Sequence, residues 1–159
     1  MARVYLSLGA NREPERHLRE ALRALRERFG AVQVSAVYRS AAVGFAGPAF
    51  LNLACAFDAA LEHADLRAWL RALEDASGRD RSLPRYADRT LDLDIALYCT
   101  DGHCITDLDR DEFERAHVLA PLAELAPALS DPFADVPLAR RWAQLAPLLP
   151  ALEPVPALE

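Results

Sequence analysis

Residues 4–29 read VYLSLGANREPERHLREALRALRERF, and two periods meet inside that stretch. Val4, Leu6 and Leu8 alternate with Tyr5 and Ser7, the two-residue repeat of a strand. Gly9-Ala10-Asn11 breaks the alternation. From Glu15 to Phe29 the apolar positions Leu18, Ala21, Leu22, Leu25 and Phe29 keep helical spacing, and Gly30 ends the run. Val32, Val34 and Ala36 to Tyr38 suggest a second strand, and Phe50 to Phe57 a third. Asp65 to Ser77 predicts a second helix, with Leu66, Trp69, Leu70 and Leu73 on one stripe and Gly78 as its stop. Leu91 to Tyr98 reads as a fourth strand. The order β-α-β-β-α-β is that of a ferredoxin-like α+β fold, an antiparallel sheet with helices packed on one face. A C-terminal helical extension follows around Glu114 to Leu125. Beyond it, from about 127 to 159, repeated prolines are expected to limit regular structure.

The 159 residues fit one domain, 1–159, large enough to bury a core. There are 18 basic and 24 acidic side chains for a formal charge of −6, and all 18 basic residues are arginine. Without lysine, neither a P-loop nor Schiff-base catalysis can operate. The acidic balance argues against nucleic-acid or anionic-membrane partners, which require a positive field. Cys55, Cys99 and Cys104 are too few for a disulfide scaffold, so a reducing cytoplasm is the simpler expectation. The short apolar run after Met1-Ala2-Arg3 lacks a signal peptide's apolar region and cleavage site. No stretch has the apolar length of a transmembrane helix.

Chemistry concentrates in RDRSLPRYADRTLDLD, residues 79–94. Arg79, Arg81, Arg85 and Arg89 crowd one loop, and Asp92 and Asp94 sit two apart on the strand that follows. Residues i and i+2 share a strand face, so the two carboxylates converge while Leu91, Leu93 and Ile95 face the core. Adjacent carboxylates raise each other's pKa unless a cation joins them. Hard oxygen ligands of this kind suit Mg²⁺, which binds one or two carboxylates together with substrate phosphates. The guanidinium groups supply forked donors for phosphate oxygens. The combination points to phosphoryl or pyrophosphoryl transfer. A solvated loop beside exposed acids is the alternative that the pattern alone leaves open.

Arg89-Thr90-Leu91-Asp92-Leu93-Asp94-Ile95 resembles the signature of the 6-hydroxymethyl-7,8-dihydropterin pyrophosphokinase family. Other segments fall in family order: Tyr5 to Asn11, Val37-Tyr38-Arg39-Ser40 with Gly44, Phe50-Leu51-Asn52, Glu74 with Gly78-Arg79, and Val118 to Pro127. The resemblance implies an enzyme that binds ATP with two Mg²⁺ and transfers pyrophosphate to the hydroxymethyl oxygen of a pterin, leaving AMP. By the same resemblance, Asp92 and Asp94 match the metal ligands, and Arg79 and Arg89 the phosphate-binding arginines, with Arg81 beside them. Glu74, Tyr86, Ile95 and Arg115 fall at nucleotide-side positions, Arg115 on a loop near the phosphates. Ser40, Ala41, Val43, Phe50, Asn52, Asp92 and His117 fall on the pterin side, Phe50 in the place of a ring-stacking aromatic. A monomer or weak homodimer with small-molecule substrates is expected.

The chain also departs from the family pattern. Tyr86 stands where Trp is usual, Asp88 where Pro is common, and Ala41-Ala42 where two prolines follow the serine position. A nucleotide-contacting His is missing from the charged segment Leu108-Asp109-Arg110-Asp111. His117 stands where a second stacking Phe is usual. These changes gather on the pterin pocket and the nucleotide lid, which suggests two alternatives: a paralogue acting on a modified pterin, or a non-catalytic binder of pterin or nucleotide. Retention of both aspartates weighs against the binder. RNA-recognition modules share the element order, but no basic aromatic strand signature is present. Cys99, His103 and Cys104 lack a fourth zinc ligand and read as an edge loop with a half-buried thiol. His17 and His63 read as surface residues among charges.

Overall fold

A computed structural model of the chain describes residues 1–41, 47–78 and 91–158. Its elements are β1 (Ala2–Ala10), α1 (Pro14–Phe29), β2 (Gln33–Val34), β3 (Val37–Ser40), β4 (Phe50–Ala59), α2 (His63–Ala76) and β5 (Asp92–Thr100). β6 (His103–Ile105), α3 (Arg110–Phe113), α4 (Ala116–Leu125), α5 (Leu138–Leu145) and β7 (Glu153–Val155) complete them. The strands form one antiparallel sheet in the order β6-β5-β1-β4-β3-β7, with β2 also paired to β4. The expected ferredoxin-like unit is its centre, with β1 and β4 in the middle. The single second strand expected from Val32 to Tyr38 is split in two. Ser35 causes the break: its N–H donates to the Ala54 carbonyl at 2.9 Å, and its hydroxyl accepts from Ala54 N–H at 2.9 Å.

Helices α1 and α2 cover one face of the sheet. Leu18, Leu22, Leu25, Leu66 and Leu70 are buried there against Leu6, Leu8, Leu53, Phe57 and Ile95. The C-terminal part covers the other face, so the helices are not confined to one side. Val118, Leu119 and Leu122 of α4 pack on Tyr5, Ala54, Ala56 and Leu97. Seven of the ten residues of α4 are apolar and buried, and such a helix needs cover on most of its sides. Leu138, Trp142 and Leu145 of α5 supply the outer layer. The proline-rich tail therefore keeps regular structure, because its prolines sit where no N–H is needed. Pro137 precedes α5, Pro147 opens a 3₁₀ turn at Ala146–Leu148, and Pro154 lies on the edge strand β7.

Two further expectations change. Cys99 and Cys104 are not a loop with a half-buried thiol but directly opposed partners on β5 and β6, joined by a disulfide. Asp101 (φ 49°) and Gly102 (φ 82°) close that hairpin. Two successive positive φ values match the twist of the flanking strands, and Asp-Gly is the pair that tolerates them. Cys55 is buried and free, its thiol pushed up to about 12 by burial. His17 is buried rather than exposed. Its Nδ1–H donates to the Arg12 carbonyl at 2.7 Å, which ties the first turn of α1 to the end of β1. Among the described residues no helix is long and apolar enough to cross a membrane.

Candidate active site

The sheet register assembles the site. Gly9 of β1 lies between Asn52 and Asp92, and Ser7 between Ala54 and Asp94. Tyr38 pairs with Asn52, and Ser40 with Phe50. Cross-strand partners share a face. Asp92, Asp94, Ser7, Gly9, Asn52, Phe50, Tyr38 and Ser40 therefore lie on one side, opposite buried Leu91, Leu93 and Ile95. This is the face covered further along by α4. Gly9 and Ser7 are the small residues directly opposite the two carboxylates.

A bulge keeps the acids there. Tyr5 pairs with Leu97 but Leu6 pairs with Ile95, which leaves Ala96 as an extra residue. Alternation would put residues 92, 94, 96 and 98 on one face. With the bulge, Tyr98 instead joins the α1–α2 core while Leu97 packs under α4. Tyr98 then donates its O–H to the Leu61 carbonyl at 2.6 Å.

Glu74 is buried, and its carboxylate accepts the Leu93 N–H at 2.7 Å. Leu93 sits between the two aspartates, and its N–H is directed to Glu74 rather than to β1. Glu74 therefore pins the strand segment that carries both acids. Asn52 is likewise buried and donates its amide to the Ser40 hydroxyl at 2.6 Å. Asn11 donates to the Pro48 carbonyl at 3.2 Å and holds the chain leading into β4. Ala41 lies exposed just after β3. Val43, Arg79, Arg81, Tyr86 and Arg89, which carry much of the expected phosphate and ring chemistry, lie outside the described residues, as does Asp88.

The expected helix around Glu114 is interrupted, with Glu114 closing α3 and Arg115 preceding α4. Arg141 of α5 donates its Nε to Glu114 at 3.1 Å and adds an ion pair through its terminal nitrogen. This anchors the residue just before Arg115. The segment expected to carry a His forms a cap instead. The Asp109 carboxylate accepts Glu112 N–H at 2.8 Å, and Glu112 accepts Asp109 N–H at 3.1 Å. Glu124, at the far end of α4, accepts the Ala36 N–H at 2.9 Å and the Tyr38 hydroxyl at 3.3 Å. Burial and this carboxylate both raise the Tyr38 pKa. Neither Glu124 nor Tyr38 stood out as a positioning residue in the sequence, because their partners are 86 to 88 residues apart.

His117 lies in the first turn of α4, and its pKa is lowered to about 4. Burial is the main cause and Arg115 adds to it, while Asp92 opposes both. The imidazole is thus neutral near pH 7. Its folded pKa lies below the unfolded value of 6.5. It therefore contributes stability above pH 6.5 that is lost as pH falls toward about 4. In the metal-free protein, His117→Phe should lose less stability than the parent across that window, by up to about 3 kcal/mol. Denaturant titrations at several pH values would read the difference, and parallel curves for the two proteins would refute it.

A groove of about 490 Å³ opens beside the acids between α2 and the outer edge of β5. Ala64, Arg67, Ala68 and Arg71 line it from one side of α2, with Glu74, the segment Asp92 to Ile95, and Asp107. Among the described residues no three His, Cys, Asp or Glu side chains converge on a metal site. Two carboxylates that line a groove suit a hard cation that keeps oxygens from its substrate.

Residues 5–127 match the family described as 7,8-dihydro-6-hydroxymethylpterin-pyrophosphokinase. A Pseudomonas aeruginosa protein named 2-amino-4-hydroxy-6-hydroxymethyldihydropteridine pyrophosphokinase is 43% identical over 82% of the chain and 84% of its own length. Proteins of the same name from Haemophilus influenzae and Methylorubrum extorquens are 32% and 36% identical. They cover 86% and 81% of the chain, and 89% and 85% of their own lengths.

Proposed function

The chain belongs to the 7,8-dihydro-6-hydroxymethylpterin pyrophosphokinase family, and on that premise we propose how its residues serve the reaction. The protein is an ATP-dependent diphosphotransferase of folate biosynthesis. It transfers pyrophosphate from ATP to the hydroxymethyl group of 6-hydroxymethyl-7,8-dihydropterin and releases AMP. The observation that carries the site is the row Asn52, Gly9, Asp92 across three strands, with Asp94 one step along.

In this reading Asp92 and Asp94 hold Mg²⁺, two ions in the working complex. The metal charge offsets the charge that develops on the transferring phosphates. Arg79, Arg81, Arg89 and Arg115 bind phosphate oxygens. Glu74, Tyr86 and Ile95 belong to the nucleotide side. Ser40, Ala41, Val43, Phe50, Asn52 and His117 form the pterin side, where Phe50 and the neutral His117 ring flank a flat heterocycle. No strong general base is required, because charge and in-line positioning carry the chemistry. The working unit is a single domain over 1–159, a monomer or weak homodimer in the cytoplasm.

The test is product analysis with ATP, Mg²⁺ and 6-hydroxymethyl-7,8-dihydropterin. AMP and the pterin pyrophosphate should appear in equal amounts, and absence of both would overturn the reading. His117 favours one variant of it, a pterin with an added polar group that a neutral imidazole can hydrogen-bond. A panel of substituted pterins decides between the two, since the variant fails if the plain substrate is the best.

Gly9 supplies a sharper check on the pterin side. A Cβ at Gly9 would come within 3.1 Å of Asn52 Oδ1 and 3.7 Å of Phe50 Cδ1. Asn52 has little freedom to move, because its amide is held by Ser40. Gly9→Ala should therefore raise KM for the pterin about tenfold and leave KM for ATP near its original value. Equal changes in both constants would place Gly9 outside pterin recognition.

A further inference from the structure

We infer that Asp107 is a positioning residue for the nucleotide: with Arg67 and His63 it fixes the wall of the α2–β5 groove at the end opposite Glu74. The inference rests on the pyrophosphokinase reading and extends it to residues outside the motifs. Asp107 follows β6 and is tied on both sides of the groove. Its N–H donates to the Ile95 carbonyl on the outer edge of β5 at 3.1 Å. Its carboxylate accepts from His63 Nε2 at 2.7 Å and from Arg67 Nε at 3.1 Å, with the Arg67 terminal nitrogen at 2.9 Å. One residue thus joins β5, through its backbone N–H, to the first two turns of α2, through its carboxylate.

Glu74 makes the other link, from α2 to Leu93. Arg67 and Glu74 are seven residues apart, which is about 10 Å along a helix. Between the two links α2 offers Ala68 and Arg71 to the groove, and β5 offers its edge from Asp92 to Ile95. The space is open to a flat base and its ribose where Ala64 and Ala68 are small, and it runs toward Asp92 and Asp94, the acids assigned to Mg²⁺. The groove width at its outer end is then set by Asp107. The carboxylate also holds Arg67 against the wall, so that this guanidinium does not swing across the opening.

The start of α2 is braced around the same point. The His63 ring meets Tyr98 edge to face, with centroids 5.4 Å apart. Asp107 is 83% buried at its side chain, whereas Arg67 is about half exposed. The pair is therefore partly shielded from solvent, and it differs in this from the exposed ion pairs that contribute little.

Steady-state kinetics of the whole enzyme test the role. Asp107→Ala should raise KM for ATP about tenfold while kcat at saturating ATP falls far less, the signature of lost uniform binding. KM for the pterin should stay within about twofold. Asp107→Asn, which retains an acceptor oxygen, should recover part of the ATP affinity. Arg67→Met reaches the same contact from a half-exposed position and covers the case in which Asp107→Ala fails to fold. It should raise KM for ATP alone, and the double variant should add little to either single change. Binding of a non-hydrolysable ATP analogue should weaken in parallel. An unchanged KM for ATP in Arg67→Met, or a fall in kcat with KM unchanged in Asp107→Ala, would overturn the inference. A parent protein that forms no AMP would instead overturn the functional reading beneath it.

Discussion

Asp94→Asn should reduce AMP formation on the order of a thousandfold while leaving the fold intact. The substitution keeps the shape of the side chain and one oxygen but removes a full negative charge. A hard divalent ion binds poorly to an amide, and Asp92 alone would then have to hold it. Asp94 sits half-buried opposite Ser7 on β5, and an amide is close to a carboxylate in size. A magnesium titration of activity distinguishes the cause: the variant should need far more metal. Full turnover at ordinary magnesium would remove Asp94 from the metal site and revive the possibility of a binding protein that does no chemistry.

The second large effect is expected at Glu74. Glu74→Ala deletes the acceptor for the Leu93 N–H, which is satisfied at 2.7 Å in the parent. An unsatisfied buried donor, together with the vacated volume, should cost about 2–3 kcal/mol of stability. The catalytic loss should be larger than the stability loss suggests. Both acids flank Leu93, and a displacement of about 1 Å at a reacting centre can cost about a hundredfold in rate. Glu74→Gln separates position from charge, because its amide oxygen can still accept the Leu93 N–H. If the role is positional, the Gln variant keeps most of its stability and rate. If it is as impaired as the Ala variant, the Glu74 charge acts on nucleotide or metal directly. Thermal melts and kcat measured on both variants decide the matter.

Much of this arrangement is legible in the sequence because it is local. The alternation from Leu91 to Ile95 is enough to put two aspartates on one face, and the stripes of α1 and α2 identify their buried sides. The hairpin turn Asp101-Gly102 is of the same local kind, flanked by an apolar run and by Cys104-Ile105. What sequence could not supply is register and distant pairing. No period reveals that Ala96 is an extra residue, since Ile95-Ala96-Leu97 is apolar in either phase. Asp107 and Glu124 look like surface acids, because the groups they hold are 40 to 88 residues away. His117 reads only as a ring in the place of a stacking Phe, and its neutrality follows from burial, which the sequence does not show.

The bulge at Ala96 has a consequence for how β5 tolerates change. Before it, even-numbered positions look toward the reaction space and odd ones into the leucine-rich interior. After it the parity is reversed, with Leu97 and Tyr98 exchanging the sides they would otherwise take. Ala96 thus works as a phase shifter between a catalytic half-strand and a structural half-strand. Each half can be tuned by its own inside–outside rule without moving the other out of step. Removing Ala96 would make Ile95 and Leu97 ordinary neighbours opposite Leu6 and Tyr5, so both halves would keep their sides in one regular alternation, whereas removing any residue outside the bulge would force one half to turn inside out.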